Sequence, residues 1–259
     1  MSQTQITLVQ IDNYGPWTTT PEPRREVDLQ ALQARLYADV AQFVGMRDGY
    51  VFYTRFDNMI AVTNGTDRDG HARIQESVAN RYPVTVSMGI AVDSSPVRAL
   101  GRATTSVQEA GSAQDDNRTE ILRGEPLASD ARTDHDVQIA HFDVVDATGK
   151  YTDRMNAFDT YIRIQESALA LMRHMRAEHD ALSFFVGGDN IISVCPDLDE
   201  SAFEETIDRM RDTADVELQV GVGSGRSPHD AGMAAKHALE VCRHDGTRVE
   251  GASHPIPGD

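Results

Sequence analysis

The sequence predicts an α+β fold built from two tandem domains, each ordered βαββαβ with an antiparallel sheet flanked by helices. Three observations predict it. Short apolar runs of strand length alternate with longer stretches of helical period. The order of these runs repeats past the midpoint, the mark of an internal duplication. Each repeat also holds two apolar runs joined by a tight turn that carries an acid, "RFDN" in the first and "GGDN" in the second.

Taken in order, the first half opens with the strand "QITLVQI" and a long helical pattern from Glu26 to Val44. A hairpin follows, "YVFYTRF" and "NMIAVTN", then the helix "DGHARIQESVANRY", the strand "VTVSMGIAV" and a helix beginning near Ser95. The second half repeats the order: "VQIAHF", a helix from about Asp153 to His179, the hairpin "LSFFV" and "NIISV", the helix "ESAFEETIDRMRD", the strand "VELQVGVG" and a helix from about Pro228 to Arg243. Asp12 precedes Asp57 by 45 residues and Asp143 precedes Asp189 by 46, so the two halves are expected in a common register offset by about 131 residues. The repeated string "RIQES" falls on different helices of the two halves and is not part of that repeat. The expected domains are 1–120 and 136–248, joined by a polar linker at 121–135, with a loose tail at 249–259.

Composition narrows the function. No stretch approaches the roughly 20 apolar residues of a membrane span, and the N-terminus lacks a basic segment followed by an apolar one, so a cytoplasmic protein is expected. Cys195 and Cys242 are the only cysteines, which leaves no disulfide framework and no CxxC pair for zinc. A formal charge of −17 disfavours nucleic acid as a partner, because backbone phosphates would be repelled. All but two of the basic side chains are arginine, and with acids spread along the chain this reads as adaptation to salt.

The topology acts on the acids. In a βαββαβ unit the second strand runs parallel to the first, so the hairpin tip lands beside the first strand's exit. Asp143 at that exit then meets Asp189 at the tip, and Asp12 likewise approaches Asp57. Paired carboxylates of this kind suit Mg²⁺, which takes one or two protein carboxylates and completes its shell with water and substrate phosphate. Gly187 and Gly188 let phosphate approach the turn. The ordinary alternative is that Asp57 and Asp189 are turn residues and the glycines a hairpin device. Recurrence of both acids in both halves favours the metal and nucleotide reading.

"GGDN" after a βα unit, with an acid on the first strand, resembles the ferredoxin-like, palm-type architecture of GGDEF domains and class III nucleotidyl cyclases. The strings "QIDNYGPWTTTPEPRRE", "LQALQARLYAD", "VFYTRFDNMIAVTNG", "RIQESVANRYPVTVSMGIA", "GSAQDDNR", "VQIAHFDV" and "FFVGGDN" resemble more closely the archaeal GTP cyclohydrolase III family. That resemblance implies a Mg²⁺-dependent hydrolase of GTP, with a monovalent cation as a further candidate. The enzyme would open the guanine imidazole ring, keep the formyl group and release two phosphates. Its product would be 2-amino-5-formylamino-6-(5-phosphoribosylamino)pyrimidin-4(3H)-one, feeding riboflavin and deazaflavin synthesis, and the enzyme would be a homo-oligomer. The other GTP cyclohydrolases use zinc held partly by cysteine, which two lone cysteines fit poorly.

The candidate metal ligands are Asp143 and Asp189, with Asp12 and Asp57 as the equivalent pair; Asp146 is either a further ligand or only solvated. For nucleotide, the candidates are the amides of Asn13, Tyr14 and Gly15, the tip residues Gly187, Gly188 and Asn190, and the arginines Arg24, Arg25 and Arg55. Arg243 joins them because its helix resembles the GGDEF helix that ends on phosphate; the first half shows no base at the corresponding place near Gly111. His141 lies on the same strand face as Asp143 and is a candidate acid or base, or structural. Two alternatives remain: a nucleotidyl or diguanylate cyclase, although "GGDN" lacks the acid and phenylalanine of GGDEF, and a non-catalytic GTP-binding module.

Overall fold

Two five-stranded sheets, one in each half of the chain, are built by the elements the periodicity marks out. The computed structural model describes residues 3–115, 117–128 and 136–253. Its contacts divide these into two units, one of residues 4–94 and 98–128 and one of residues 136–253 together with 3 and 95–97.

The first unit runs β1 (Thr4–Ile11), α1 (Tyr14–Thr19), α2 (Glu26–Gly45), β2 (Tyr50–Tyr53), β3 (Asn58–Val62), α3 (Arg68–Arg81), β4 (Val86–Asp93), α4 (Pro96–Gln108) and β5 (Leu122–Arg123). Its strand order is β2-β3-β1-β4-β5, antiparallel except for the parallel β4–β5 pair. Strand β1 is buried along nearly its whole length because helices cover both faces. Val9 and Ile11 pack in the same cluster as Leu36 and Val40 of α2 and Ile74 and Val78 of α3. Leu8, on the other face, meets Ala103 and Val107 of α4. Asp12 therefore follows on the α4 face, by the alternation of a strand.

The second unit runs β6 (Val137–Val144), a π-helical turn at Thr148–Thr152, α5 (Ala157–His179), β7 (Leu182–Gly187), β8 (Asn190–Cys195), α6 (Glu200–Ala214), β9 (Leu218–Gly225), α7 (Pro228–Asp245) and β10 (Val249–Ser253). The order β10-β9-β6-β8-β7 repeats that of the first unit, again with one parallel edge pair, β9–β10. Ala140, Phe142 and Val144 face a core of Leu171, Met175, Phe203 and Ile207, which leaves His141 and Asp143 on the α7 face. Ser227 caps α7 by accepting the Asp230 N–H at 3.0 Å, with Pro228 in the first turn and Gly246 ending the helix at φ 73°. Alternate glycines on β9 seat that helix. A Cβ at Gly221 would stand 2.1 Å from the Ala235 carbonyl oxygen, and one at Gly223 would stand 2.2 Å from that of Ala231.

Three expectations are corrected. Residues 249–253, expected as loose tail, form β10, pairing with β9 from Val249↔Val220 to Ser253↔Ser224; residues 254–259 lie outside the described residues. The expected linker at 121–135 contributes β5, and the Leu127 N–H donates to Gln5 Oε1 at 2.7 Å, so residues up to 128 belong with the first unit; 129–135 lie outside the described residues. The register of the repeat also shifts. Ile11 faces Val86 and Val144 faces Leu218, while Gly89 and Gly221 hold the same place against Ala103 and Ala235. On that frame Asp143 takes the place of Gln10, and Asp12 that of Val145. The strand-exit acids are thus not equivalent, and Asp143 lies two residues deeper in its strand.

Candidate active site

In the second unit the expected convergence of acids takes place. Asp143, at the end of β6, is nearly buried and is held by Arg243 of α7, whose Nη2 is 2.9 Å from Oδ1 and Nε 3.2 Å from Oδ2. Gln219 of β9 donates to the same Oδ2 at 3.1 Å. Asp189 stands at the β7–β8 tip, where burial pushes its carboxyl above the usual range and the charge of Asp143 pushes further in the same direction. A half-buried carboxyl whose proton affinity is raised by burial and by a neighbouring carboxylate is a site that a divalent cation relieves.

The turn itself is open. Gly187 and Gly188 take φ of +114° and +64°, values that favour glycine, and a Cβ at Gly187 would meet no atom within 4 Å. Asn190 donates through Nδ2 to Asp189 Oδ1 at 3.2 Å, and its Oδ1 lies 2.9 Å from His141 Nε2. Burial lowers the proton affinity of His141 below the ordinary histidine value, which favours the neutral ring. Asp146 turns back on its own loop, accepting the Gly149 N–H at 3.2 Å, with φ 55°. A cavity of about 510 Å³ adjoins this end of the unit, lined by Asp146, Arg211, Gln219, Arg243 and Arg248 among others.

The first unit arranges its acids differently. The Ile11 N–H donates to the Asp57 carbonyl at 3.0 Å, which fixes the β2–β3 tip beside the exit of β1. Asp12 is buried and accepts from Ser87 Oγ at 2.6 Å and Thr85 Oγ1 at 2.9 Å. Arg118 completes the set, with Nε 3.4 Å from Asp12 Oδ1 and the two side chains only 4% and 1% exposed. The expectation of no base near Gly111 is thereby corrected: Arg118 arrives from the loop after α4 and also donates to the Gly111 carbonyl at 2.7 Å. At the tip, Arg55 pairs with Asp57 at 2.8 Å and Asn58 donates to Asp57 Oδ1 at 3.0 Å.

The amide cradle expected at Asn13, Tyr14 and Gly15 is partly spent within the chain. Asn13 N–H donates to the Ala113 carbonyl at 2.7 Å, and Gly15 N–H to Gln114 Oε1 at 2.8 Å. Arg24 stacks over Trp17 at 4.1 Å, and Arg25 pairs with Asp28 at 2.8 Å. Both arginines, with Arg35 and Arg81, line an open cavity of about 860 Å³ that reaches Tyr82 and Pro83, just ahead of Thr85. It is large enough for a nucleotide.

Sequence reasoning missed Arg118, Ser87, Thr85, Gln219 and the bond from Asn58 to Asp57. Both cysteines are buried, and burial pushes their thiols up and away from reactivity. Among the described residues no three His, Cys, Asp or Glu side chains come together as a metal cluster. A cation here would rest on a carboxylate pair, which is what Mg²⁺ takes when substrate and water supply the rest. Also among the described residues, no helix is long and apolar enough to cross a membrane.

Comparison with known proteins shows the family. A family model described as GTP cyclohydrolase III matches residues 6–255. A protein of that name from Natronomonas pharaonis is 67% identical over 250 residues, covering 96% of this chain and 99% of its own length. Another, from Halorubrum lacusprofundi, is 60% identical over 259 residues and the full length of both chains. Among solved structures, the GGDEF domain of FimX from Pseudomonas aeruginosa overlays 48% of this chain and 81% of its own at 14% identity and a TM-score of 0.39, a likeness too loose to bear on function.

Proposed function

The chain belongs to the GTP cyclohydrolase III family, and from that premise we propose that it hydrolyses GTP with Mg²⁺. It opens the imidazole ring of guanine, retains the formyl group and releases two phosphates, giving 2-amino-5-formylamino-6-(5-phosphoribosylamino)pyrimidin-4(3H)-one. The observation that carries the site is the like-charged pair Asp143 and Asp189, set beside Arg243 and an open glycine turn. Asp143 and Asp189 hold the cation, and Asp12 and Asp57 are the corresponding candidates in the first unit. A Mg²⁺ held by these carboxylates would supply charge neutralisation for phosphate oxygens and a more acidic water.

The chain's own groups do the rest. Arg243, more than a third exposed beside Asp143, supplies positive charge where phosphate would approach. Gly187 and Gly188 leave the turn free of side chains where phosphate must approach. In the first unit Arg24, Arg25 and Arg55 supply positive charge around the larger cavity and the Asp57 tip. A monovalent cation remains a second candidate cofactor. We further propose self-association in the cytoplasm, supported by the exposed apolar residues Phe158, Tyr161, Ile162 and Leu169 along α5.

Substitution of the acids tests the site. Asp143→Asn and Asp189→Asn should each cut phosphate release from GTP at least about 100-fold, the scale on which loss of an electrostatic catalytic group acts, without loss of fold by circular dichroism. Turnover within a few-fold of the unsubstituted protein in both variants would remove the second-unit assignment and leave Asp12 and Asp57 to be tested in the same way.

A further inference from the structure

Each tip carboxylate is approached by the same short chain of hydrogen bonds, although the residues that begin it differ. In the second unit, His141 Nε2 lies 2.9 Å from Asn190 Oδ1, and Asn190 Nδ2 donates to Asp189 Oδ1 at 3.2 Å. In the first, Gln10 Nε2 donates to Asn58 Oδ1 at 3.1 Å, and Asn58 Nδ2 donates to Asp57 Oδ1 at 3.0 Å. Asn58 and Asn190 occupy the same place at the start of the third strand of their units. Their donors do not: Gln10 corresponds to Asp143, and His141 stands two residues before it, opposite Ile192.

The direction of the relay follows from its far end. A carboxylate only accepts, so the Asn190 amide must present its NH₂ to Asp189 and its oxygen to His141. The ring nitrogen facing that oxygen must then carry the proton, which sets the histidine tautomer. Two different side chains thus supply one function, an N–H that pins the asparagine and through it one oxygen of the tip acid. The other oxygen of Asp189 lies outside this relay.

We propose that His141 and Gln10 are positioning residues, each orienting its unit's tip carboxylate through Asn190 or Asn58 for metal binding. This rests on the reading of Asp143 and Asp189 as metal ligands. Neighbours that orient ligands in this way typically contribute 10- to 100-fold to metal affinity.

The test is binding of Mn²⁺ as a stand-in for Mg²⁺, followed by loss of the free-ion electron paramagnetic resonance signal without nucleotide, on the full chain. His141→Ala should weaken binding roughly 10-fold or more. His141→Gln, which keeps an N–H donor at similar reach, should recover most of that loss. The double variant His141→Ala/Asn190→Ala should bind no worse than Asn190→Ala alone, because both act through one relay. Melting temperatures of all variants separate loss of fold from loss of the relay. Unchanged binding by His141→Ala, while Asp189→Asn binds poorly, would overturn the relay and leave the metal site standing. Unchanged binding by Asp189→Asn would overturn both.

Discussion

Replacing Arg118 by methionine should be the costliest single change at either strand exit. Arg118 and Asp12 are 4% and 1% exposed, so deleting the guanidinium strands a carboxylate where water does not replace it. Breaking a buried ion pair from one side costs roughly 3–5 kcal/mol. The 3.4 Å separation is long for a charge-assisted bond, and Ser87 and Thr85 go on donating to Asp12, so the lower end, about 3 kcal/mol, applies. At about 2–4 °C per kcal/mol for a chain of this size, the melting temperature should fall by about 6–12 °C. Arg243→Met is the control. That pair is shorter, at 2.9 Å, but its arginine is 38% exposed and Gln219 still donates to Asp143, so the cost should stay within about 1 kcal/mol. Circular dichroism melts of both variants at one salt concentration provide the comparison, and a cycle with Asp12→Asn should show coupling of about 1 kcal/mol or more. Equal, small effects from Arg118→Met and Arg243→Met would refute the argument that burial decides between them.

Two further outcomes follow from the same geometry. The Asp189 carboxyl binds protons more tightly folded than unfolded, so it costs stability above its folded pKa, and the cost is relieved as pH falls through that value. Asp189→Asn should therefore raise the metal-free melting temperature at neutral pH, by an amount that shrinks on acidification; a difference that does not change with pH would contradict this. Gly221→Ala forces a methyl against the Ala235 carbonyl oxygen and Leu239 nitrogen, both backbone, and should cost roughly 1–3 kcal/mol. Because α7 must shift to admit it, turnover of GTP should fall with it, measured by phosphate release.

The elements that bury an apolar face were legible in the sequence, because burial imposes period. Helix α2, spanning Glu26–Gly45, and the paired runs around each tip show this plainly. Strands β5 and β10 were not legible. One is two residues long, and the other, "VEGAS", is an edge strand with no apolar alternation to mark it. The register of the acids was hidden for a similar reason: spacing between Asp12 and Asp57, or Asp143 and Asp189, does not reveal which residues face across the sheet. Arg118 reaches Asp12 from an irregular loop, where no periodicity could announce it. Gln5 looks like a polar interruption of a strand. It is fully buried, with its amide donating to the Thr63 and Thr66 carbonyls and accepting from Leu127. Such satisfaction depends on partners about 60 to 120 residues away.

The most direct measurement is to incubate the purified protein with GTP and Mg²⁺ in high salt, following purine absorbance and free phosphate together. The account predicts loss of the purine spectrum with about two phosphates per GTP, the stoichiometry of a triphosphate reduced to a monophosphate. An intact purine would contradict it; pyrophosphate would then indicate a cyclase, and release of neither a module that only binds nucleotide.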